Sequence, residues 1–430
     1  MKKVVLISCL IAISLGVFQS QAKNHSVSLG AGLANDVWFD LVNGEVSSAP
    51  SANWDLAFTN YSVGGIWIND HNGAKAYLVP DVSNLDFGLP IDTAGMVENW
   101  ELLYNSEVNW IVGAFNMGND GYASNGNFGF GNYMPTNHSV VGNKLFVVIT
   151  ANGAYQFSPD VIGFTSTKFK IANLDGSDEK EITITRSDFA GEFMIYYKFG
   201  SDNAFSREPK LNDWQLQFGK YIGLAAIPGG GGATMPYSLS GVRINNRIRV
   251  ARIEGVMADE AVAPDTSSEE YTRRINVIGS DWKRLNAQFR FDIPDDLSFF
   301  LHADSYPNSL FHLKFTAFGG QAIGNMDFTL TEQTLSVLES DNLVLGNVAI
   351  TPNIISSSEN LNLTYFMNKY IENMNVKVID MNGNTLYTKS FSGVDGEGNL
   401  PLNINNLAQG MYFVQVIADG AISYSKFIVQ

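Results

Sequence analysis

Residues Asn53–Phe58 read NWDLAF, and 160 residues further on Asp213–Phe218 read DWQLQF. Each is followed by a second match: Gly65-Ile66-Trp67-Ile68-Asn69 in the first case, Gly241-Val242-Arg243-Ile244-Asn245 in the other. Side chains alternate across a strand with period two. That period predicts that Trp54, Leu56 and Phe58 share one face, and Trp214, Leu216 and Phe218 the equivalent face. Three large apolar groups on one side mark a strand laid against a core. The repeat therefore predicts a duplicated β domain whose tryptophans are core filler.

The same period recurs through the chain in short runs separated by Gly, Asn, Asp and Pro: Val37–Leu41, Leu145–Thr150, Lys168–Ala172, Ile182–Thr185, Arg247–Ile253, Leu297–Ala303 and Phe311–Phe318. No long stretch has helical spacing, so the fold class is all-β. Elements fall in the same order around the two copies. Val37–Leu41 precedes the first and Ile195–Phe199 the second. Trp110 and Trp282 each lead toward a terminal hairpin, Leu145–Thr150 with Ala154–Phe157 and Leu297–Ala303 with Leu310–Phe318. The expected organisation is a β domain over 24–190, a second over 191–336, a polar linker over 337–350 and a compact β-sandwich over 351–430. In the last, Met381-Asn382-Gly383-Asn384 is a hairpin signal, because Asn-Gly suits the positive φ angles of a tight turn.

Residues 1–22 read as a signal peptide: Lys2-Lys3, an apolar run from Val4 to Phe18, and Ser20-Gln21-Ala22 as a cleavage site. Cys9 lies inside the apolar run rather than after it, which argues against a lipoprotein. It is the only cysteine, so the mature chain is expected to lack disulfides, thiol nucleophiles and thiolate metal sites. Losing Lys2 and Lys3 with the signal takes the net charge from −16 to −18. That excludes nucleic acid as a natural partner, since phosphate binding needs a basic stripe. No later segment has the apolar length to span a bilayer.

The last 80 residues carry Pro352-Asn353, Val376–Asp380 followed by Asn382-Gly383, Leu402-Asn403-Ile404, Leu407–Val414 and the closing Lys426–Val429. In that order they resemble the type A C-terminal sorting domain of the type IX secretion system, with Ile354 in place of a second proline. The resemblance implies an Ig-like β-sandwich that addresses the protein through the outer membrane, with the secretion machinery as partner and the cell surface or the medium as destination. The two Trp-x-Leu-x-Phe strands with their Gly-x-x-Ile-Asn followers, Ile278–Lys283, Ile293–Asp296 and Lys314–Gly319 resemble the HmuY family of secreted haem-binding β proteins. That resemblance implies tandem HmuY-like antiparallel domains, with haem as the candidate ligand and no required cofactor.

Haem held between two axial side chains needs ligands on opposite porphyrin faces. His71, in the turn Asn69–Gly73, and His138, in Asn137-His138-Ser139, form the candidate pair, with Met117 and Met134 as alternative soft ligands. Between them lies Gly113–Tyr133, rich in Gly, Asn and aromatics. It reads either as a cover for a flat apolar ligand or as an ordinary surface loop. His25 is expected to be disordered at the mature N-terminus. His302 and His312, symmetric about Pro307, are expected to oppose one another across the last hairpin, too close to sandwich a porphyrin. The chain has no His-Glu-x-x-His and no Gly-x-Ser-x-Gly, and Gly229–Gly232 lacks the Lys-Ser/Thr of a phosphate loop. The reading is a secreted, surface-attached, non-enzymatic binding protein for haem. The alternative is a structural or adhesive protein that recognises a macromolecule through its Gly/Asn/aromatic loops. A carboxylate-based hydrolase is a more distant third.

Overall fold

Four short strands without an exposed face organise the larger part of the molecule. Leu56–Thr59, Ile66–Ile68 and Met194–Tyr197 are buried at every position, and Asn35–Asp40 at every position after its first. A strand buried on both sides must lie between two cores. The computed structural model describes residues 22–60, 64–116, 126–227, 231–286, 288, 290–334, 345–356, 361–381, 383–402, 404, 407–418 and 421–430. They form two compact units, 1–334 and 335–430.

In the first unit four sheets stack face to face. An outer five-stranded sheet runs Lys23–Ser28, Asn325–Thr334, Ser309–Phe318, Leu297–Ala303, Ile248–Glu254. It packs on an inner four-stranded sheet of Thr234–Ile244, Leu216–Ala226, Asn35–Asp40 and Gly44–Pro50. Their shared core joins Val37, Phe39, Leu216 and Phe218 to Phe299, Phe315 and Phe328. The second inner sheet is Met194–Tyr197, Leu56–Thr59 and Ile66–Ile68. It packs on an outer eight-stranded sheet through Leu56, Phe58, Ile195 and Tyr197 against Phe146, Phe157 and Phe169. The opposite faces of the two inner sheets meet in a central layer. There Trp38, Ala57, Trp67, Met194 and Tyr196, each out of phase with its strand's core residues, pack with Trp54, Trp110 and Trp214.

The all-β expectation holds, as do the two terminal hairpins, found at Phe146–Thr150 with Gly153–Ile162 and Leu297–Ala303 with Ser309–Phe318. The expected boundary between residues 190 and 191 does not separate two domains. The strand upstream of the first copy pairs with the second copy, Phe39 opposite Leu216. The strand upstream of the second copy pairs with the first, Tyr197 opposite Leu56. Each half thus completes the other's inner sheet. The exchange is matched in detail. Asp55 accepts from the Phe199 N–H at 2.8 Å, and Gln215 accepts from the Leu41 N–H at 3.0 Å. Gly65 and Gly241, which open the second motif, both sit where a side chain has no room. A Cβ would lie 2.9 Å from the Trp110 carbonyl oxygen in one case and 2.2 Å from that of Gly279 in the other.

Three further expectations are corrected. Trp54 and Trp214 do not share a face with the Leu and Phe that follow them. The strands start only at Leu56 and Leu216, and the preceding turn sends each tryptophan into the central layer. His302 and His312 are not opposed. The hairpin centres on Tyr306, so His312 faces Phe300, and His302 contacts the Arg249 guanidinium at 3.0 Å; a shift of one residue changes every cross-strand partner. His25 is ordered within Lys23–Ser28, stacked on Phe328 at 5.4 Å and edge-on to Phe39 at 5.1 Å.

In the second unit two long strands, Leu361–Asp380 and Thr385–Leu402, pair along most of their length. Leu345–Thr351 pairs with the first part of Leu361–Asp380, and Gly410–Ala418 with its last part. Ala421–Val429 pairs antiparallel with Gly410–Ala418 and parallel with Ile354-Ile355. Leu361, Leu363, Val376, Val378, Val414, Val416 and Phe427 share one core. The expected β structure of 351–430 is present, with Val376–Asp380 forming the end of the long strand Leu361–Asp380.

Candidate functional site

Five of the seven tryptophans, at 38, 54, 67, 110 and 214, lie in the central layer. Burying one such side chain contributes about 4–6 kcal/mol from area alone. Rings follow one another across the layer: Trp67 to Trp110 at 4.9 Å, Trp110 to Phe193 at 5.3 Å, Phe193 to Trp214 at 5.9 Å. Two polar contacts tie the layer together. The Trp67 indole N–H donates to the Trp110 carbonyl at 2.8 Å, and the Trp110 indole N–H donates to the Ile244 carbonyl at 2.7 Å.

Charged groups are set among these rings. Arg207 Nη2 and Asp36 form an ion pair at 2.6 Å with both side chains 1% exposed. The guanidinium also donates to Asn53 Oδ1 and the Pro50 carbonyl, and lies over Trp38 at 5.0 Å. Beside it Glu208 accepts from the Met194 N–H at 2.6 Å and the Tyr196 hydroxyl at 2.9 Å. Loss of hydration pushes this carboxyl up to about 8. Arg243 occupies the place of Trp67 in the repeat. Its guanidinium sits 4.7 Å from the Trp110 ring and 5.9 Å from that of Trp67, and burial lowers its pKa. A further buried cation, Lys283, lies outside this layer. It donates to the Ser280 and Ser240 carbonyls under the rings of Trp282 and Phe318, and burial lowers its amine to about 7.

His71 is buried, its ring 6.0 Å from that of Trp54 and its Nδ1 3.8 Å from Asp70. It lines a small cavity in the central layer. His138 is exposed at the tip of the hairpin Gly131–Met134/Ser139–Gly142, with φ at 51° and Nδ1 2.6 Å from the Tyr133 hydroxyl. Met134 is 41% exposed in the same hairpin, and Met117 lies outside the described residues. The expected pair is therefore not brought to one pocket, because the cavity beside His71 does not include His138. It has about 20 Å³ of space, enough for about one water molecule and far too little for a porphyrin. These residues do not fit haem. Nor does the Gly113–Tyr133 segment cover a ligand with its described aromatics, since Phe115, Phe128 and Phe130 are spent in the core. Among the described residues no three His, Cys, Asp or Glu side chains cluster to hold a metal.

Sequence reasoning missed Arg207, Glu208 and Arg243. Only Arg243 carried a signal, as the single charged residue in a motif whose other copy has tryptophan.

The C-terminal strands have a clear counterpart. Residues 352–430 match the secretion system C-terminal sorting domain. The sorting domain directs export through the outer membrane to the cell surface or the extracellular space, with the secretion machinery as its partner. No curated protein matches the chain. Solved structures overlap only loosely. Dimeric latent PorU from Porphyromonas gingivalis shares 10% identity over 92% of this chain and 34% of its own, with a TM-score of 0.18. The BSP domain of a biofilm-associated protein shares 10% over 88% and 78%, at 0.18. A CARDB domain from Pyrococcus furiosus shares 17% over 20% and 86%, at 0.16. Superpositions at this level assign neither fold nor function to residues outside the sorting domain.

Proposed function

We propose that the protein is a non-enzymatic surface adhesin that inserts a β finger into an apolar crevice of a partner protein. The observation that carries this reading is the outer half of the hairpin Leu216–Ala226/Thr234–Ile244. The neighbouring strand Asn35–Asp40 pairs only as far as Phe218, so beyond that point the ribbon extends without another strand beside it among the described residues. There Leu224 is 58% exposed, Met235 46% and Tyr237 58%. Met235 and Tyr237 share one face, and Leu224 and Pro236 the other.

The edges of this ribbon argue against simple strand addition. The Leu224 N–H is occupied by Glu107 Oε2 at 3.1 Å, and Pro236 across from it has no N–H to offer. Both devices block edge-to-edge pairing while leaving the faces apolar. An apolar finger with guarded edges suits a pocket rather than a sheet. The acidic balance of the chain disfavours the alternative of an anionic lipid surface.

The test uses cells displaying the full chain. A photocrosslinking residue placed at position 224 or 237 is expected to yield one defined protein adduct, and Leu224→Ser with Tyr237→Ser to reduce adhesion. No adduct from either position, with adhesion unchanged in the double variant, would overturn the reading. A haemin titration is expected to leave the Soret band of free haemin unshifted. A shift that disappears in His71→Ala or His138→Ala would replace adhesion with haem carriage.

A further inference from the structure

We infer that the cavity in the central layer is a binding site for a single monatomic anion of chloride size. The polar residues of the wall are Arg207, Arg243, His71, Gln217 and Asn105, with no carboxylate residue among the described lining. Arg207 donates to Asp36, Asn53 and the Pro50 carbonyl, and the Asn105 amide to the Ile68 carbonyl, so the donors left over belong to Arg243 and His71. Arg243, 7% exposed, makes no side-chain hydrogen bond and no ion pair within 4.0 Å among the described residues, so its donors are unspent. His71 Nε2 is buried without a partner. Gln217 Oε1 is also buried without one, and turning its amide end for end puts an N–H there instead.

Burial of a guanidinium is costly, and proteins meet that cost with counter-charge and hydrogen bonds. Asp36 and Asp70 both act on Arg243 electrostatically, but among the described residues neither pairs with it within 4.0 Å, Asp36 being committed to Arg207 and Asp70 lying beside His71. Glu208, pushed up to about 8, is mainly uncharged at neutral pH. The stacked rings of Trp110 and Trp67 offset part of the charge of Arg243 through their π faces. What remains is a donor-lined space of about 20 Å³. A single atom fits it; sulfate, phosphate and carboxylates do not. A halide there accepts from Arg243 and from the His71 N–H when Nε2 carries the proton, and links the two inner sheets from between them.

The experiment compares thermal unfolding of the full mature chain in sodium chloride, sodium bromide and sodium gluconate at constant ionic strength. The melting temperature is expected to rise with each tenfold increase in chloride or bromide once the site begins to fill, and to stay flat in gluconate. Arg243→Met is expected to remove the halide dependence. Should that variant fail to fold, crystals of the unaltered chain grown in bromide decide the matter, with an anomalous peak expected between Arg243 and His71. Equal melting curves in chloride and gluconate, or bromide-grown crystals with water in the cavity and no anomalous peak, would overturn the assignment.

Discussion

Asn69 and Asn245 perform one task in the two halves of the first unit. Asn69 donates its side-chain amide to the Trp54 carbonyl at 2.8 Å and to the Ser51 carbonyl, three residues earlier, at 2.9 Å. Asn245 donates to the carbonyl of Trp214 and to that of Leu211, again three residues earlier, at 3.1 Å. Their own N–H groups complete the match by donating to Asp55 and Gln215. Each asparagine thus fixes the turn that delivers a tryptophan into the central layer. Replacing Asn245 by alanine strands two buried carbonyls; replacing Asn69 strands that of Trp54 and takes the Oδ1 acceptor from Asn72, while the Ser51 carbonyl keeps the Asn72 amide at 2.8 Å. The expected loss is about 1–3 kcal/mol for Asn69→Ala and the same for Asn245→Ala, read from urea unfolding midpoints. Near-equal losses are the signature of equivalence; a neutral change at one site and a large one at the other would refute it.

Two buried groups set opposite pH slopes. Glu208 is raised to about 8 from an ordinary 4.5 by loss of hydration. Between those values the folded chain keeps a proton that the unfolded chain releases. Its contribution to stability is therefore complete below about 4.5 and shrinks as pH rises to 8. Lys283 is lowered by burial to about 7 from 10.5. Between those values the unfolded chain holds the extra proton, so stability gains with rising pH. Urea midpoints taken from pH 5 to 10 should lose the falling limb in Glu208→Gln and the rising limb in Lys283→Met. An unaltered profile in either variant would show that the group does not titrate in that window.

Export across the outer membrane should depend on the sorting domain alone among the parts of residues 22–430. Deleting Thr351–Gln430 is expected to leave the protein in the periplasm, with none at the surface by fractionation and protease accessibility. Normal surface display of the truncated chain would contradict the assignment.

The repeat was legible because period two and a tryptophan survive in both copies, and so were the sorting landmarks, which are contiguous in sequence. The partner of each repeat strand was not. Val37–Leu41 carries no mark that says it pairs with Leu216 rather than Leu56, since both present the same apolar alternation. The face of Trp54 was misread because the strand begins two residues after it, where a local pattern shows no break. The cavity was invisible for a different reason. It needs Arg207, Arg243 and His71, which lie far apart in sequence and are joined only by the stacking of the inner sheets.

The exchange of strands makes a last prediction about what can fold alone. A fragment covering 24–190 keeps Leu56–Thr59 but loses Met194–Tyr197 from its edge, and its Asn35–Asp40 strand is left without Leu216–Phe218. A fragment covering 191–334 loses the partner strands in the opposite sense, along with Lys23–Ser28 from the edge of its outer sheet. In each, strands built to be buried on both faces would expose an apolar face and an unpaired edge. Expressed separately, both fragments are expected to aggregate or to unfold without a cooperative transition. Refolded together, they should recover one transition and the near-ultraviolet circular dichroism of the packed tryptophans. A fragment 24–190 that unfolds cooperatively by itself, with its tryptophans shielded from quencher, would mean that each half closes its own inner sheet and that the exchange is not required.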